Sequence, residues 1–151
     1  MENVYITKVI LEEVRNLTYA EIPLSTKEKK NLIITGKNGS GKTTVLNAVA
    51  SYLNAVFESN GIEYEKKYLK MDEGNLDYRK THGGTESEIR ELERRVYDRK
   101  DRLTLLKHGI EIELNCSGEH AHQLFQDGRV VLAYYKADRV FRTDIPRHVE
   151  K

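Results

Sequence analysis

An α/β fold follows from three features of the sequence. Apolar runs rich in β-branched and aromatic residues stand near both ends, and helical stripes lie between them. A glycine-rich turn, Gly36-Lys37-Asn38-Gly39-Ser40-Gly41-Lys42-Thr43, sits where a strand pattern gives way to a helix pattern. The 151 residues suit about one domain. With 25 Lys+Arg against 24 Asp+Glu the formal net charge is +1, which excludes a nucleic-acid binder held by overall charge. Hydrophobic residues make up 38% and charged ones 32%, a thin supply for a deep core. The single cysteine, Cys116, forbids an internal disulfide, and Met1-Glu2-Asn3 opens neither a basic nor an apolar leader. No apolar run has the length of a membrane helix, so the expectation is a cytoplasmic, reduced setting away from membranes.

Each element has its own reason. Val4 to Leu11 reads as a strand, and Leu17 to Leu24, with Thr18, Ala20, Ile22 and Leu24 on one face, pairs with it as a hairpin. Leu32-Ile33-Ile34-Thr35 is apolar on both faces, as in a buried central strand of a mixed or parallel sheet. Val45, Leu46, Val49, Leu53 and Val56 recur at helical spacing, giving a helix from Lys42 to Glu58 that stops at Ser59-Asn60-Gly61. Ile62 to Lys80 fits either a short helix or an irregular excursion. After Thr81-His82-Gly83-Gly84, Thr85-Glu86-Ser87-Glu88 has the form of a capping box. Ile89, Leu92, Val96, Leu103 and Leu106 then follow at spacings of three and four, with Arg99 at the one position that breaks the stripe. The pairs Glu86 to Arg90, Glu91 to Arg95 and Asp98 to Arg102 add a few tenths of a kcal/mol each, roughly, so a partner helix must supply the rest. Ile110 to Leu114 alternates as a half-buried strand, Glu119 to Gln126 suits a short helix, and Arg129 to Tyr135 is a second buried-strand run. The expected organisation is a first part over 1–60, a helical insertion over 61–108 that is coiled-coil-like over 85–107, and return strands over 109–151, in a chain that reads as interrupted.

The segment Gly36 to Thr43 matches G-x-x-x-x-G-K-[ST] at every fixed position, with a predicted strand before it and a predicted helix after it. Glycines 36, 39 and 41 allow the tight turn, and the backbone N–H groups with the helix N-terminus form an anion nest. In this Walker A reading Lys42 reaches the β- and γ-phosphates of ATP, and the Thr43 hydroxyl is a hard ligand for Mg²⁺. The alternative is a chance glycine-rich turn. Hydrolysis also needs a Walker B carboxylate. The candidate is Asp138, at the end of Val130-Val131-Leu132-Ala133-Tyr134-Tyr135-Lys136-Ala137, but Lys136 interrupts the run and Arg139 follows it, which suits a structural strand better.

Taken together, the opening strand pair, Arg15-Asn16 between its strands, Leu32 to Thr44, and Val45-Leu46-Asn47-Ala48-Val49 resemble the N-terminal part of an SMC/RecF-like P-loop NTPase of the AAA family, with an ABC-type head. The resemblance covers Val4 to about Val56, and more weakly Val131 to Arg139. It implies a head lobe with an N-terminal β-hairpin, a mixed sheet and a helical or coiled-coil insertion folding back from Ile62 to Lys107. It implies Mg-ATP held by Gly36, Asn38, Gly39, Ser40, Gly41, Lys42, Thr43 and Thr44, with Lys42 as the catalytic residue. In the family an asparagine-aromatic-arginine motif in the first connection helps hold nucleotide. Here Val14-Arg15-Asn16-Leu17 keeps an arginine in another order, so Arg15 is either a nucleotide contact or a solvated turn residue. The family's signature motif, Walker B pair and switch histidine are not recognisable in these residues. The implied partners are the C-terminal remainder of the head or a second head.

Two other readings compete. A small complete P-loop kinase of a nucleoside or metabolite suits Gly39-Ser40-Gly41-Lys42-Thr43-Thr44, although such kinases usually begin at the phosphate-loop strand, and here two strands come first. A structural coiled-coil module with a vestigial loop is the other. His120 and His122 beside Glu119 form no third-ligand cluster and read as surface. Cys116 has no nucleophile context. Lys66, Lys67, Lys70, Arg139, Arg142 and Arg147 suit a solvated surface, with DNA contact as the alternative.

Overall fold

The computed structural model describes residues 3–12, 14 and 19–135. Alternation makes the first strand, β1 (Ile6–Leu11), in which Thr7, Val9 and Leu11 are buried. A second, β2 (Ala20–Pro23), pairs antiparallel with it, setting Ile22 opposite Val9. The helix α1 (Lys42–Phe57) follows the glycine-rich loop, and α2 (Gly61–His82) and α3 (Glu86–Lys107) form an antiparallel hairpin. The chain then returns as β3 (Ile110–Leu114), which adds antiparallel to the other edge of β1 with Ile112 opposite Val9, and ends its described part with α4 (Gly118–Gln126). Strand order is β2-β1-β3.

The core forms where α1 lies on the sheet. Val45, Tyr52 and Val56 of α1 pack with Val9, Leu11, Ile110 and Ile112, and Ala121 of α4 closes the cluster. On the outer face Lys8 sits between Glu21 of β2 at 3.0 Å and Glu113 of β3 at 3.9 Å, a cross-strand pattern that keeps this face polar. Burial pushes the Tyr52 phenol up to about 12 against a counteracting hydrogen bond from the Ile112 backbone. Its hydroxyl is therefore neutral in the core at any physiological pH.

Two expected strands do not form. Residues 32–35 and 131–135 have no regular secondary structure, and the sheet among the described residues is antiparallel throughout, not mixed. Both segments keep an alternation: Ile34, Val130 and Leu132 pack on the core, while Ile33 is 80% and Val131 82% exposed. A run that is apolar on both faces needs cover on both to become a central strand, and here the core covers one.

The open question over 62–80 resolves as helix. Its seam toward α3 is Ile62, Glu65, Leu69, Asp72 and Leu76, a heptad pattern in which two positions are carboxylates. Glu65 and Asp72 are buried, and the residue that breaks the α3 stripe meets them both. Arg99 donates from Nε to Asp72 at 2.5 Å and from a terminal nitrogen to Glu65 at 3.1 Å, with its guanidinium 5.0 Å from the Tyr68 ring centre. Arg95 adds a bond to Asp72 at 2.9 Å, and Arg102 approaches Glu65 at 3.8 Å. Of the expected pairs along α3, Glu86 and Arg90 meet at 2.5 Å, whereas Arg95 and Arg102 turn toward α2. The Thr85 capping box forms, with Glu88 bonded to the Thr85 backbone and side chain, contacts that hold the Glu88 carboxyl below its ordinary range.

Glu111 ties the hairpin to the sheet. From β3 it accepts bonds from Lys107 at the end of α3, at 2.8 Å, and from Lys66 in the second turn of α2, at 3.3 Å. Burial pushes its carboxyl up, but the Lys107 bond and the two ammonium charges outweigh it and leave it lowered.

Arg99→Ala strands two buried carboxylates. The expected loss in urea unfolding is about 2–3 kcal/mol, short of a fully buried pair because Arg95 and Arg102 remain. Replacing Glu65, Asp72 and Arg99 together by leucine should restore stability to at least the wild-type value. For Tyr52 the folded pKa is raised, so its contribution is complete below the ordinary value of 10.0 and is lost as pH rises through about 12. Unfolding curves across that window should show a loss of about 2–3 kcal/mol in the wild type that Tyr52→Phe lacks.

Candidate phosphate-binding site

The loop turns where its glycines permit. Gly39 and Gly41 have φ of 82° and 89°, a region that costs an L side chain roughly 1–2 kcal/mol, and Gly41 stands at the N-cap of α1. Ser40 N–H donates to the Lys37 carbonyl at 3.2 Å, and the first α1 bond runs from Val45 N–H to the Gly41 carbonyl at 3.0 Å. A helix leaves its first N–H groups without helical partners. Gly41 supplies no side-chain cap to those of α1, and its first turn holds no acidic residue. Among the described residues, the positive end of α1 is thus turned toward the loop with no acid in its own first turn to offset it.

Lys42 is the first residue of α1, and its ammonium folds back over the loop. It donates to the Gly36 and Lys37 carbonyls, each at 2.7 Å, with Ser40 Oγ at 3.5 Å. Gly36, Asn38, Gly39, Ser40 and Thr43 are exposed, Gly41, Lys42 and Thr44 half-buried. A methyl group built on Gly39 would meet nothing within 4 Å, so the loop rim is open. An open loop with an ammonium at its mouth and an uncapped helix N-terminus beside it fits an anion of several phosphate groups, and the Thr43 hydroxyl is the hard oxygen available to a magnesium ion.

One contact was not anticipated. The Tyr134 hydroxyl donates to Asn47 Oδ1, which tethers the 131–135 segment to α1 one helical turn beyond Thr43. Asn47 sits four residues after Thr43 in the sequence, but only the fold brings Tyr134 to it. Arg15, Asp138 and Arg139, together with Arg142 and Arg147, lie outside the described residues. Lys66 is engaged by Glu63 and Glu111, while Lys67 and Lys70 are exposed. His122 Nδ1 donates to the Phe57 carbonyl at the end of α1, at 2.6 Å, and among the described residues no group of three or more His, Cys, Asp or Glu could hold a metal ion. No described helix is long and apolar enough to cross a membrane.

The chain is thus a mixed α/β fold in which a glycine-rich loop leads into the N-terminus of the core helix. A family model described as an AAA domain matches residues 8–146, and the chain belongs to that family. This agrees with the resemblance to SMC/RecF-like AAA ATPases and gives the chain a function of the ATP-binding, ATPase type, in a family that generally uses ATP and Mg²⁺. Comparison with curated proteins and with solved structures gives no match.

Proposed function

We propose that Gly36 to Thr44 binds Mg-ATP and that the chain is the N-terminal lobe of an SMC/RecF-like ATPase head. The observation that carries this reading is Lys42, whose ammonium is held by the Gly36 and Lys37 carbonyls and Ser40, at the uncapped end of α1. The backbone N–H groups of Asn38 to Thr44 would hold phosphate oxygens, Lys42 would bind the β- and γ-phosphates as a point charge, and Thr43 would ligate Mg²⁺. The metal, when bound, neutralises phosphate charge. Tyr134 would position Asn47 on the same face of α1 as Thr43. The exposed flanks Ile33 and Val131 support a lobe that is completed by the C-terminal remainder of the head or by a second head, since apolar strand-like edges gain most from such cover.

Lys42→Ala should weaken ATP binding by about ten- to a hundredfold in calorimetry, the scale of one charge-assisted contact to phosphate. Thr43→Ala should leave metal-free binding nearly unchanged and remove the gain from added Mg²⁺. Unchanged affinity in Lys42→Ala would favour a structural module with a vestigial loop.

The reading also predicts little turnover. The sequence holds no apolar strand ending in Asp-Glu. Purified chain incubated with Mg-ATP should release phosphate at the buffer blank rate, and sustained release abolished by Lys42→Ala would overturn the lobe assignment.

A further inference from the structure

Helix α2 carries a second stripe besides its seam. Tyr64, Met71 and Tyr78 are one heptad apart and are 52%, 53% and 58% exposed, so three large apolar side chains line an open face of an otherwise charged helix. The stripe reads the same in both directions about Met71. Beside it runs a wall of α3, with Glu91, Arg95, Asp98 and Arg102 in order from the hairpin turn toward the sheet. Reversal about the midpoint of Val96 and Tyr97 sets Glu91 against Arg102 and Arg95 against Asp98, so these four charges each meet an opposite one, while Glu88 on the same face is taken up by Thr85 and Arg79 of its own hairpin. The two centres coincide in the folded hairpin, because Asp72, next to Met71, bonds both Arg95 and Arg99 and so lies level with Tyr97.

We propose that this face pairs with the same face of a second copy of the chain, the two hairpins antiparallel about a two-fold axis at Met71. An isologous contact requires a patch complementary to itself under reversal, and both the apolar stripe and the charged wall meet that requirement about one axis. Tyr64 of each copy then lies over Tyr78 of the other. The concavity of about 440 Å³ lined by Tyr78, Glu91, Leu92 and Arg95 is the room that the incoming ring fills. A two-fold axis parallel to the helices would set the α3 wall against α2 of the other copy and lose these pairings. The pairing uses none of the loop residues Gly36 to Thr43 and is independent of nucleotide.

Charge reversal in the full chain tests the arrangement. By sedimentation equilibrium the wild type should be a dimer, and Glu91→Lys and Arg102→Glu should each weaken dimerisation by at least about tenfold. An equimolar mixture of the two variants should recover wild-type affinity. In the mixed dimer the two reversed side chains face each other at one end, and the unaltered Arg102 of the first variant faces the unaltered Glu91 of the second at the other. Met71→Arg, exposed and outside the ion network, should also give a monomer with unchanged helicity by circular dichroism, which keeps the test sound should Arg102→Glu loosen the hairpin near Glu65. A monomeric wild type, single variants that dimerise normally, or a mixture no tighter than its components would each overturn the proposal.

Discussion

Burial of α1 against the inner face of the sheet is the contact on which the other parts hang. Val9 at the centre of β1 faces Ile22 on one side and Ile112 on the other, and Tyr52 and Val56 of α1 share its cluster. The glycine-rich loop feeds the N-terminus of this helix and the helical hairpin leaves its C-terminus within a few residues. Position and orientation of the loop are therefore inherited from apolar packing some turns away, while the loop itself adds little to the core. His122 and α4 close the other end of α1 by taking up the Phe57 carbonyl.

The hairpin is organised differently, around charge. Its seam contains an ionic layer where Arg99 bridges Glu65 and Asp72, at a point where leucines would pack with less desolvation. Such a layer contributes more to register than to stability, since a slide of α3 along α2 would strand both carboxylates. The bonds to Asp72 hold Arg99 in its charged form, and the Tyr68 ring below adds to the same preference. At the base, Glu111 joins Lys66 and Lys107 to the sheet, so the two helices are fixed to β3 by one carboxylate. Removal of either ammonium would leave the half-buried carboxylate short of the charge that offsets its desolvation.

Much of this was legible in the residues. The β-branched and aromatic make-up of β1, the alternation over β3, the stop after α1, the Thr85 capping box and the glycine-rich loop all follow from local chemistry, because composition, capping, turning and alternation depend on neighbours in sequence. Two kinds of feature were not legible. The α2 seam hid its heptads because Glu65 and Asp72 count as polar until Arg99 is placed against them. The segments 32–35 and 131–135 announced central strands, yet strand formation depends on what covers their outer faces, and the core covers only the inner ones.

By itself the sequence determined the loop and the helices that follow from capping and periodicity, since each rests on residues within a few positions of one another, and it carried the likeness to the AAA domain family along most of its length. The tertiary structure alone decided that Arg99 is a bridge instead of a flaw, that the sheet is antiparallel, and that Tyr134 stands beside Asn47 near the loop. The reason is distance along the chain: Arg99 and Glu65, β1 and β3, and Asn47 and Tyr134 meet only after folding has closed the long loops between them.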